Sequence, residues 1–135
     1  TVHHQFSWKR ATLLATLFAA FAVLAPTTAH AQAPTSVHTA ADHAGYAAKA
    51  ADLATMKKHM HHALNCLQGK SGKDYDAAAG DPCKGVGTTY AAGSASEIKV
   101  QEAIRLLVVG ETLDDMKAAQ HVAQAVQEVL EEVTN

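Results

Sequence analysis

Two stretches of the chain carry apolar residues at helical spacing, and the stretch between them carries none. Tyr46, Leu53, Met56, Met60, Leu64 and Leu67 recur three, four or seven residues apart. That is the period of one helix face and not the alternation of a strand. Ser36 or Thr39 offers an N-cap upstream and Gly69 a terminator, so the pattern predicts a helix running to about Leu67. A helix of about thirty residues extends about 45 Å. That is long for a small domain, and Gly45 is where it is expected to bend or split.

The second periodic stretch opens at Ser94, which with Glu97 forms a capping box. Ile98, Ile104, Leu107 and Val108 are expected on its buried side, with Gly110 as its end. Thr112 is expected to open a last helix whose first turn holds Asp114 and Asp115, where acids suit the helix dipole. Met116, Ala119, Ala123, Val126, Leu130 and Val133 then form a regular stripe. Between the two stretches, residues 69–94 contain six glycines (69, 72, 80, 85, 87 and 93) and Asp81-Pro82, without apolar periodicity. They predict a loop with at most one helical turn, at residues 74–79. Loops this long in compact domains tend to be functional or disordered. The expected fold is all-α, a three- or four-helix bundle with a hairpin over residues 95–133 and a long loop.

Composition changes the picture first at the N-terminus. Lys9 and Arg10 precede an apolar run over residues 11–25, Pro26 breaks it, and Ala29-His30-Ala31 has the small-x-small cleavage pattern. These features predict a secretory signal peptide over residues 1–31 and a single domain over 32–135. A retained anchor is the alternative, but the run is short of the ~20 residues a spanning helix needs. Removing Lys9 and Arg10 from eleven basic residues leaves nine against thirteen acids, a formal −4 for residues 32–135. That balance lacks the basic stripe of a nucleic-acid binder, so neither nucleic acid nor, after cleavage, membrane is an expected partner. The expected location is periplasmic or secreted. In an oxidising compartment the two cysteines, Cys66 and Cys83, are expected to form a disulfide that tethers the loop to the first helix.

Candidate chemistry is concentrated in residues 56–66, MKKHMHHALNC. His59 and His62 are an i, i+3 pair and His62 and Cys66 an i, i+4 pair, spacings that bring side chains together on one helix face. Asp52, His59 and Cys66 fall along one line of the wheel, with Met56 just inside it; His61 points elsewhere, into solvent. His59 and His62 are therefore the expected first ligands of a metal ion. Asp52, Met56, the upstream His43 or a hairpin group, His121 or one of Glu111, Asp114 and Asp115, would complete the set. Imidazole with carboxylate suits Zn, Ni or Cu(II), and an added thioether favours Cu(I). Against this stands the plainer possibility of a solvated helix face, since Lys57 and Lys58 repel a cation.

Other chemistries find no support. C-x-x-C, C-x-x-C-H, the phosphate-loop pattern and G-x-S-x-G are all absent from residues 32–135, and the acid pairs Asp74/Asp76 and Asp114/Asp115 read as solvated. The chain is not expected to be an enzyme.

Glu102-Ala-Ile, then Gly110, Ala119, His121, Ala125 and Leu130, resembles the helix–Gly–helix unit of the small metal-binding protein family. Members of that family are exported, alanine- and histidine-rich helical bundles that take up divalent metals such as copper. The resemblance implies the bundle, the export and a ligand role for His121. It departs from the family in keeping only His121 on the hairpin and in having a long cysteine-containing loop. Two functions remain open at this level. One is an exported protein that binds or buffers Cu, Ni or Zn through helix-borne histidines. The other is a disulfide-stapled helical module that binds another exported protein through residues 69–94.

Overall fold

The computed structural model describes residues 33–135; the expected signal peptide lies outside the described residues. Four helices, α1 (Thr35–Ala48), α2 (Leu53–Gln68), α3 (Ala95–Thr112) and α4 (Met116–Thr134), pack as an all-α bundle, with a single 3-10 turn at Ala77–Ala79 in the long loop. Each helix lies against its chain neighbours, and α1 closes the ring by packing on α4. The core is filled along the inner stripes: Ala40, Ala44 and Ala47 from α1, Met56, Met60 and Leu64 from α2, Ala103 and Leu107 from α3, Ala123, Val126 and Leu130 from α4.

The first predicted helix is broken, but not at Gly45. Gly45 is buried inside α1, where an added Cβ would stand 3.1 Å from the Gln127 side chain of α4. It is a point of close approach, not a hinge. The break falls at residues 49–52, because Asp52 starts a new helix: its Oδ1 accepts from the Thr55 backbone N–H and its Oδ2 from the Thr55 hydroxyl, both at 2.8 Å. A carboxylate that caps the N–H groups ahead of it favours initiation over continuation. Consequently α2 folds back onto α1.

The other helix boundaries shift for similar reasons. Pro34 precedes α1, and Ser36, expected as a cap, is buried with its hydroxyl donating to the Gly87 carbonyl at 3.2 Å. Gly110 does not end α3, which continues to Thr112. Its missing side chain makes room for Met60 Sδ and Val122 Cγ1, each 3.0 Å from a would-be Cβ. Asp115, not Thr112, caps α4 by accepting from the Ala118 N–H at 2.7 Å. Ser94 caps α3 as expected, accepting from the Glu97 N–H at 3.2 Å. Ile98 and Tyr46, expected in the core, are each 54 % exposed.

Residues 69–94 are laid down in an ordered path over the end of α2. Cys66 and Cys83 form the disulfide, with Cα atoms 5.2 Å apart. Asn65, fully buried, donates to the carbonyls of Asp76 and Gly80 at 2.7 Å each and accepts from the Asp76 N–H at 3.0 Å. Thr88 returns the chain to α2 through backbone and hydroxyl bonds to the Leu67 carbonyl. Buried backbone groups need partners, and this loop finds them on α2.

Candidate metal centre

His43 on α1 meets His59 and His62 on α2. On one continuous helix, sixteen residues would separate His43 from His59 by about 24 Å; across the α1–α2 turn their Nδ1 atoms are 3.1 Å apart. The His62 ring stands edge-on to both, at centroid distances of 4.8 Å from His43 and 5.7 Å from His59. One ring nitrogen from each of the three lies within 4.8 Å of the others. Tyr46, one turn beyond His43, sets its ring edge-on 5.5 Å from His43 and 5.6 Å from His59 and forms a wall.

The hydrogen bonds determine which nitrogens are free. His62 Nε2 lies 2.8 Å from the Ala79 carbonyl oxygen, which can only accept, so Nε2 carries the proton. In a neutral ring that leaves the lone pair on Nδ1, and His62 Nδ1 is buried without a hydrogen-bond partner. An imidazole whose far N–H is held by a backbone carbonyl is the arrangement that orients metal-binding histidines. Two facing Nδ1 atoms share one proton when both rings are neutral; with both protons moved to Nε2, both Nδ1 lone pairs are free to bind. Nitrogens on one tetrahedral ion at about 2.0–2.1 Å from the metal sit about 3.3 Å apart, close to the 3.1 Å observed.

Electrostatics favour the neutral, ligand form of His43 and His59. Burial, followed by repulsion from His62 and His59, lowers the His43 pKa to about 4, with Asp42 pulling the other way. His59 is also lowered, first by burial, then by His62 and Lys58. The neighbouring lysine, which disfavours an approaching cation, thus also disfavours the protonated ring that would compete with it.

Of the residues expected to hold a metal, the structure unites His43, His59 and His62. The others lie elsewhere. Asp52 is exposed and committed to capping α2. Met56 is fully buried in the core. His121 is exposed on α4, outside the cluster, because the apolar stripe of α4 faces inward at Ala119 and Ala123 on either side of it. His61, expected in solvent, instead brings Nδ1 within 2.9 Å of Glu111 Oε1 on α3. The approach is off-axis and leaves neither atom with a well-directed hydrogen bond. Cys66, Asp81 and Cys83 also lie close together, but both sulfurs are consumed in the disulfide.

Two contributors carried no signal in the sequence. One is the Ala79 carbonyl, a backbone group that any residue supplies. The other is Gly80, at φ +96°, where an added Cβ would lie 2.9 Å from His62 Nε2. No helix among the described residues is long and apolar enough to cross a membrane. No family model, curated protein or solved structure matches the chain.

Proposed function

We propose that this chain is an exported protein that binds and buffers a divalent transition metal, Cu(II), Ni(II) or Zn(II), through His43, His59 and His62. The observation that carries this function is the grouping of His43, His59 and His62, with one ring nitrogen from each within 4.8 Å of the others, while His62 Nδ1 is buried without a partner and its Nε2–H is tied to Ala79. An imidazole-only donor set suits these three metals. With Met56 in the core, no thioether is at hand to favour Cu(I). The disulfide and the signal-like residues 1–31 support export. The hairpin's resemblance to the small metal-binding family agrees with metal uptake, although the ligands here come from α1 and α2.

Native mass spectrometry with Cu(II), Ni(II) and Zn(II) titrated against the oxidised protein tests this. One tightly held ion per chain is expected, and His43→Ala/His62→Ala should weaken it by about 100-fold or more, a larger loss than second-shell changes produce. His121→Ala, Asp52→Asn and Met56→Leu should leave it in place. Weak binding that the double variant retains would remove the metal function and favour the interaction module.

A further inference from the structure

The three histidines are neutral donors, so an ion held by them keeps its full double positive charge. No fourth His, Cys, Asp or Glu joins their group among the described residues. The loop carboxylate that lines the cleft beside them, Asp81, is engaged within the loop: Oδ1 accepts from the Cys83 N–H at 2.9 Å, and Oδ2 from the Tyr75 hydroxyl at 2.9 Å and from the Gly85 N–H. Three protein ligands with an open position leave a tetrahedral ion to take its fourth ligand from solution.

Beside the histidines the structure has a place for such a ligand. A cleft of about 500 Å³ reaches His43 and His62 and is bounded by residues 78–82 and by Lys58. Lys58 makes no ion pair among the described residues, whereas Lys57 on the next position is paired with Asp114 at 3.3 Å. Lys58 immediately precedes His59 on α2 and borders the same cleft as His43 and His62. Asp42 beside His43 and Lys58 beside His59 are both exposed, so water screens each of them.

Resting on the metal function above, we propose that the ion at His43, His59 and His62 carries a small monovalent anion, such as a carboxylate, as its exchangeable fourth ligand, seated in the cleft against Lys58. A cationic side chain beside a metal site is a liability for the bare ion and an asset for an ion–anion pair. The free lysine therefore has a purpose that simple metal capture would not supply.

The test uses the full oxidised chain loaded with Cu(II), loading being verified by native mass spectrometry, with azide as the probe anion. Azide is expected to produce a saturable azide-to-copper charge-transfer band that acetate competes away. Lys58→Ala should weaken azide by about three- to tenfold, the effect of one partly screened charge, while copper affinity stays equal or rises because a repulsive charge has gone. Lys57→Ala should change neither. A loss of azide affinity without a loss of copper affinity at Lys58 cannot come from a folding defect. A copper-loaded protein without the azide band, or one whose azide affinity ignores Lys58, overturns the anion seat and leaves metal binding standing. Failure to load copper, nickel or zinc overturns both.

Discussion

At the scale of single residues, the environment of a side chain decides its protonation, and two groups here pull stability in opposite directions with pH. His43 has its pKa lowered to about 4 by burial and neighbouring imidazoles, so the unfolded chain binds its proton first. Its contribution is present near neutrality and is lost as pH falls from about 6.5, the unfolded value, towards 4. Glu111 has its pKa raised to about 7, by burial first and then by Asp74 and Asp76 against the pull of Lys57. Here the unfolded chain loses its proton first, and the contribution is lost as pH rises from about 4.5 through 7. The two slopes offset one another between these limits. Glu111→Gln should remove the second slope, so thermal melts of the variant and the parent should differ little at pH 5 and increasingly in the variant's favour towards pH 8. A constant difference across that range would show that Glu111 is not held protonated.

At the scale of elements, the Cys66–Cys83 bond links the histidine cluster to the loop. It closes a loop of sequence separation 17, which the chain-entropy model values at about 3 kcal/mol. Its local effect is on geometry. With Asn65 it holds residues 76–83 against α2, so that the Ala79 carbonyl meets His62 Nε2 at 2.8 Å. Cys66→Ser/Cys83→Ser should lower the melting temperature and, at temperatures where circular dichroism shows the helices intact, weaken metal binding by about 10-fold, the size of a second-shell loss. Unchanged affinity in the folded variant would show that Ala79 does not position His62. The disulfide itself was legible in the sequence, because two cysteines in a chain expected to be exported have one obvious use. The 3-10 turn that presents Ala79 was not, since a glycine-rich segment has no period and its path is set by Asn65 and the sulfur bridge.

At the scale of the whole molecule, the candidate ligands come from two helices that pack on each other, so a bound ion would tie α1 to α2. An ion that binds the folded chain alone adds about 2.7 kcal/mol at a free concentration one hundred times its dissociation constant. For a domain of this size that raises the melting temperature by on the order of 10 °C. Calorimetry with and without Cu(II) should show that rise in the parent and lose it in His43→Ala. A rise that survives the substitution would place the ion elsewhere.

The sequence alone determined the all-helical fold, the inner stripes on α2 and α4, the Ser94 cap, the disulfide partners and the pair His59 and His62. Each of these follows from local periodicity, local capping or the chemistry of a residue type. Gly45 and Gly110 misled because a glycine reads as a helix breaker until a neighbouring helix is seen to need its space. Only the tertiary structure decided that Asp52 turns the chain back on itself, and with that turn it selected His43, from among His43, Asp52, Met56 and His121, as the partner of His59 and His62. The physical reason is distance: a helical wheel relates residues on one helix, whereas a metal ion needs donors a few ångströms apart, and packing α1 on α2 brings His43 within that range.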